Sequence, residues 1–206
     1  MGFINKYLLP KEIDFNAALL HQASISRSMV EDLYQACILE DKNRMVSIAA
    51  TALQARELKA HNMSQLLNVF ITPYDKESIY RMITQLDWIT LSVKHFLLET
   101  KVYDIHALAT YEPVLKILVA MVIALEQGIS KLSARTLGTI APRIDQVHDQ
   151  YDEVVEACAK AMAKLLAQDD IKHIIRHQAI LLQLKEIAKR IHVSANTLED
   201  MAIKIV

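Results

Sequence analysis

A chain that rarely turns must fold as long rods. Across 206 residues there are 3 glycines and 4 prolines, where glycine alone ordinarily makes up roughly 7%. Few punctuators over such a length mean few, long elements. Between them lies a mix rich in Ala, Leu, Ile, Lys, Glu and Gln, which favours helix throughout. Six helices are predicted. They run from about Phe15 to Leu39, Arg44 to Phe70, Lys76 to Thr100, Ala107 to Leu132, Arg135 (or just after Pro142) to Ala167, and Asp169 to the C-terminus. Pro113 is tolerable only in the first turns of the fourth, and Asp169 is a good N-cap for the sixth.

Apolar periodicity says which faces are buried. In the last helix Ile180, Leu184, Ile187, Ile191, Ala195, Leu198, Ala202 and Ile205 recur at intervals of three and four, one stripe of a 3.6-residue helix. The third repeats this through Ile79, Met82, Ile83, Leu86, Thr90, Val93 and Leu97. The fifth does so through Ile144, Val147, Tyr151, Val154, Val155 and Cys158. Rods of this length, roughly 40–50 Å at 1.5 Å per residue, bury such stripes by lying nearly antiparallel in bundles. The two halves share a long–long–long layout. A duplicated three-helix bundle is therefore expected, with a single six-helix bundle as the alternative.

Several classes fall away early. Twenty-three Lys and Arg balance 24 Asp and Glu, so no strongly basic nucleic-acid surface is expected. The apolar run Val114–Leu125 contains Lys116 and ends at Glu126, short of the roughly 20 residues a bilayer span needs. Gly2 lacks the later Ser or Thr of a myristoylation signal. No secretory leader is recognisable, so Cys37 and Cys158, each inside a helical pattern, are read as reduced core thiols of a cytoplasmic protein. The internal glycines, Gly128 and Gly138, make no phosphate loop. No Cys–His pair or G-x-S-x-G elbow offers a nucleophile.

The one sharp corner is Phe70-Ile71-Thr72-Pro73-Tyr74-Asp75-Lys76-Glu77-Ser78-Ile79. Pro73 stops the helix before it, and Thr72 and Asp75 are both candidate N-caps for the helix after it. This stretch resembles the F-I-T-P-[F/I]-[D/E]-R-E-D-I signature of the PhoU-like phosphate-transport regulators, bacterial proteins often encoded beside Pit-type phosphate transporters. Leu86-Asp87-Trp88-Ile89 resembles the family's L/M-D-D-I/V segment, and Ser194-Ala195-Asn196-Thr197-Leu198-Glu199 resembles V-A-N-T-L-E. The similarity covers residues 45–100 and 140–206. It implies an all-α fold of six long helices in two three-helix bundles, residues 1–206 forming one domain of two helical repeats, about 10–103 and 106–206.

Relatives in that family carry repeated E/D-x-x-x-D motifs, whose paired carboxylates share a helix face and hold a metal cluster. Here the corresponding positions are Ala52 and Arg56, then Asp87 and Leu91, then either His148 and Asp152 or Asp152 and Glu156, then Lys185 and Lys189. Arginine and lysine offer only donors and positive charge, so they cannot ligate a cation. Asp87, His148, Asp152 and Glu156 remain as the reduced metal set for a divalent or iron ion, with Asp145 and Asp149 nearby on the same helix. His173 and His177, four apart, are a second candidate pair whose angular position overlaps the apolar stripe, where half-buried structural histidines also fit. Glu57 and His61 form a weaker pair without a second copy. Trp88 and Leu91 point away from the stripe of their helix, as either a solvated face or a protein–protein contact. Arg56, Lys185 and Lys189 would make an anion site if they converged.

Two functional expectations follow. The first is a non-enzymatic accessory of phosphate transport: cytoplasmic, peripheral to the inner membrane through a membrane phosphate transporter implied by the resemblance, and able to form a homodimer. The second is a metal-binding helical bundle using Asp87, His148, Asp152, His173 and His177. A generic helical scaffold or dimerisation module is a third class. No cofactor is firmly expected.

Overall fold

The computed structural model describes residues 13–39, 41–134 and 136–204. Its six long helices are α1 (Phe15–Leu39), α2 (Lys42–Asn68), α3 (Lys76–Val102), α4 (Glu112–Ser130), α5 (Leu137–Leu166) and α6 (Ile171–Lys204). No strand occurs among the described residues. The fold is all-α, as the scarcity of turn residues requires.

Local chemistry sets the helix starts. Asp14 Oδ1 accepts the Ala17 amide at 3.1 Å, and Asp41 Oδ1 accepts the Asn43 amide at 2.8 Å. At the corner Asp75, not Thr72, caps α3, its Oδ2 accepting from the Ser78 amide at 3.2 Å. The Thr72 hydroxyl instead donates to the Tyr74 carbonyl at 2.6 Å, which tightens the turn. The α6 cap is Asp170, one residue beyond the expected Asp169: its Oδ1 takes the His173 amide at 3.1 Å. A carboxylate in this place satisfies an orphan amide and the positive end of the helix dipole together. α4 starts later than expected because residues Leu108–Tyr111 wind as a 3-10 turn before it, and Pro113 then falls in its first turn. α5 starts at Leu137 and carries Pro142 inside it, so the alternative start after Pro142 is not used. Arg135, the other proposed start, lies outside the described residues, as does Ile205 of the α6 stripe.

The helices associate as α1–α3 and α4–α6, each helix packing on the others of its own trio. The trios join through α1 against α4 and α3 against α6. The result is two back-to-back three-helix bundles. α2, α3, α6 and α5 follow one another across one broad wall, and α1 and α4 lie behind it. One apolar core runs through both bundles, from Phe15, Leu33 and Phe96 to Leu118, Ile144 and Leu184. Every described member of the α6 stripe is buried. In α3 the stripe is buried through Val93, with Leu97 packed at its margin.

Close approach and polar anchors hold the bundles in register. A Cβ added at Gly128 of α4 would stand 2.7 Å from Leu198 Cδ2 of α6. Across the joint, Arg27 pairs with Glu126 at 2.7 Å, and Gln183 Nε2 donates to Glu99 at 2.6 Å. Within the first bundle, buried Gln22 donates to the Ile83 carbonyl at 2.7 Å and accepts from Asn62 at 3.1 Å. Buried amides satisfied in this way specify one packing arrangement. The segment between the bundles places Asp104 and Ala107 at φ 52° and 58°, left-handed backbone that costs a non-glycine residue about 1 kcal/mol.

The stretch Leu108–Ala134 is long and apolar enough by hydropathy to cross a membrane, contrary to the expectation from Val114–Leu125 alone. Half of that window is buried within the protein. Leu115, Leu118, Met121, Val122 and Leu125 face the shared core, which accounts for the hydropathy.

Candidate functional site

The broad wall α2–α3–α6–α5 gathers most of the residues singled out from sequence. Between α2 and α3 it opens into a groove of about 460 Å³. Ala52, Ala60, Met63 and Leu91 give the groove its apolar lining, and small side chains on α2 leave it open. Around them stand Arg56 and Lys59 from α2 and Lys94 from α3, with Asp87 as the one carboxylate. Lys59 Nζ lies 2.5 Å from Asp87 Oδ2. The acid is therefore already neutralised by a neighbouring helix.

Trp88 follows Asp87 at the α3–α6 seam. The residue is 37% exposed, and the Arg190 guanidinium lies over its ring, 4.5 Å from the centroid. Arg190 also pairs with Glu186 at 2.6 Å. A cation on the ring face is electrostatically favourable, and here it roofs one side of the indole. Leu91 is half-buried and belongs to the groove.

The equivalent groove between α5 and α6 is smaller, about 210 Å³, and is lined by Cys158, Met162, Leu181, Leu182 and Lys185. Arg56 and Lys185 thus line separate grooves, and Lys189 is exposed on α6 and lines neither. The proposed Arg56–Lys185–Lys189 anion site does not form as one cavity.

The candidate metal residues are dispersed. His148 Nε2 lies 2.9 Å from Asn196 Oδ1, and its ring sits 4.8 Å from that of His192. His192 stacks on Tyr151 at 4.6 Å. Burial, then the neighbouring His148, holds His192 below the usual imidazole range, with Asp152 opposing. Asp152 and Glu156 are exposed, and Glu156 pairs with Lys160 at 2.5 Å. Asp145 and Asp149 are exposed on the same helix, as are Glu57 and His61 on α2. Among the described residues no three His, Cys, Asp or Glu side chains converge as a metal-binding group.

His173 and His177 lie side by side on α6, ring centroids 4.1 Å apart. His177 is 6% exposed, and its Nδ1 meets the Tyr111 hydroxyl at 2.6 Å. Burial, then the His173 imidazole, holds His177 below its ordinary range. Burial raises the Tyr111 phenol above its own. The Tyr111–His177 contact ties α6 to the start of α4.

Sequence reasoning found Arg56 and Asp87 but passed over Lys59 and Lys94. The signal was present: Lys59 is three residues from Arg56, and Lys94 is seven from Asp87, so each shares a helix face with a residue already noted. Arg190 over Trp88 and Tyr111 beside His177 had no such signal, because both partners come from other helices.

No protein-family model matches the sequence, and no curated protein matches it. Solved structures do match it. A PhoU-like protein from Shewanella oneidensis MR-1 superposes with a TM-score of 0.81, covering 92% of this chain and 99% of its own, at 14% identity. The chain has the PhoU-like fold. A second protein from that organism, named as a PhoU-like phosphate regulatory protein, gives a TM-score of 0.80 at 14% identity, with 91% and 98% covered. Near-complete coverage of both chains means that the two bundles and their mutual packing are shared, not one bundle alone.

Proposed function

We propose that this chain is a non-catalytic regulator of phosphate transport that acts by touching another protein. The observation that carries the reading is full-length likeness of fold to PhoU-like phosphate regulatory proteins, joined to the corner and V-A-N-T-L-E-like segments of the sequence. The composition of the wall supports contact over chemistry. Its acids at Asp87 and Glu156 are engaged by Lys59 and Lys160, and its grooves gather cations and apolar side chains, with no converging carboxylates. The partner in this reading is a membrane phosphate permease. The protein itself stays at the cytoplasmic side, and both helical repeats, residues 1–206, work as one unit.

The test is uptake of radiolabelled phosphate by cells whose only phosphate carrier is a Pit-type permease, with and without this protein co-expressed. A change in uptake rate at equal permease level is expected. Unchanged uptake despite full accumulation of the protein would remove the proposal.

A further inference from the structure

We propose that the α2–α3 groove seats a short acidic segment of a partner protein, one that carries a carboxylate, an apolar side chain and a second carboxylate at every second residue. Three cations, Arg56, Lys59 and Lys94, face one carboxylate there. The excess is two positive charges, because Asp87 is spent on Lys59. Among the described residues neither Arg56 nor Lys94 has an ion pair or a side-chain hydrogen bond. Both are exposed and so free to engage a ligand. Charge complementarity of this kind selects anionic partners and speeds their encounter.

The lining argues against a bare anion. A phosphate or a single carboxylate would leave Ala52, Ala60, Met63 and Leu91 unused. The groove, at about 460 Å³, is much larger than one such ion requires. From Ala52 to Met63 the helix rises about 16 Å at 1.5 Å per residue, which matches about five residues of extended chain. Every second side chain of such a segment faces the groove, so its first and fifth residues can turn carboxylates toward the cations Arg56 and Lys94 and its third an apolar side chain toward the lining that includes Leu91. That the partner is the permease rests on the function proposed above; the preference for acidic, partly apolar chain rests on the groove alone.

The full-length protein is titrated with the acetylated, amidated peptide Glu-Ser-Leu-Ser-Glu, and the heat of binding is followed by isothermal titration calorimetry. The matched peptide with Gln in place of both Glu residues is the control. Saturable change with the Glu peptide alone is expected, weakened about tenfold or more by Arg56→Glu with Lys94→Glu and by raising salt to about 0.5 M. Circular dichroism and thermal unfolding of the double variant should match the parent, since both positions are exposed. No response to the Glu peptide, an equal response to the Gln peptide, or an unaffected double variant would overturn the proposal. So would saturation by inorganic phosphate without the peptide effect, or binding to phosphatidylglycerol vesicles in its place. In the uptake assay, a working parent with an equally working double variant sinks the groove and spares the function. A parent that binds the peptide but leaves uptake unchanged does the reverse.

Discussion

Asp87 is where the two main readings of this chain give different answers. As a residue of a metal set, its removal should empty a bound ion. As the partner of Lys59, its removal should unmask a cation and cost a modest amount of stability. The contact is 2.5 Å, with the Asp87 side chain 14% exposed and that of Lys59 33%. Bare attraction at that distance is about 1.7 kcal/mol at the dielectric of water and about 6.6 kcal/mol at an effective value of 20. Most of the larger figure is cancelled by desolvation of the two ions. One-third exposure of the lysine also lets its ammonium swing back into water when the acid is gone. The coupling should therefore fall near the upper end for surface pairs, about 1 kcal/mol. For a chain of this size, Asp87→Ala should lower Tm by about 2–4 °C. A double-mutant cycle with Lys59→Met, read by urea unfolding, isolates the pair from the loss of each side chain. Coupling below about 0.2 kcal/mol would refute the assignment of Asp87 to Lys59. Elemental analysis of protein purified without added metal is the second readout. Stoichiometric iron, zinc or nickel that disappears in Asp87→Ala would overturn the reading of this wall as a contact surface.

Three further outcomes follow from the packing. His177 and His192 are held below the ordinary imidazole range by burial and by a neighbouring imidazole, so below about pH 6.5 the unfolded chain binds their protons more readily than the folded one; the urea midpoint should fall between pH 7 and pH 5.5, less so in His177→Gln, and a flat or rising midpoint would count against this. Burial pushes the Cys37 thiol up to about 12 and Cys158 up to about 11, so at pH 8 the native protein should leave a thiol reagent nearly unreacted, with both thiols titrating only in denaturant. Gly128→Val should cost about 1–3 kcal/mol, because its Cβ meets Leu198 and the extra methyls overpack the α4–α6 contact, whereas Gly138→Ala, with open space around it, should be neutral or slightly stabilising in the same chemical-denaturation assay.

The fold was legible to an unusual degree, because helices are local objects. Their hydrogen bonds close within four residues, their caps are single side chains and their buried faces repeat every 3.6 residues. α1 runs between the residues expected of it, and the described members of the stripes of α3, α5 and α6 lie against the core, except Val155 of α5. The misses were local too. Asp170 replaced Asp169 as a cap because either carboxylate can serve and the following turn chose between them. α4 began late because a 3-10 turn occupies the residues before Glu112.

The site was less legible, since sites are made where helices distant in sequence meet. The sequence by itself determined that this chain makes long amphipathic helices, which faces they bury, and that the positions resembling a carboxylate-rich wall hold Arg56, Leu91, Lys185 and Lys189. Only the packing of α2 on α3 decided that Lys59 would neutralise Asp87 and leave Arg56 and Lys94 around an apolar slot. Only the packing of α3 on α6 laid Arg190 over Trp88. A side chain's partners across a helix seam depend on the register of two rods, and that register is settled by the whole core at once, through approaches such as Gly128 against Leu198, which no periodicity in one helix encodes.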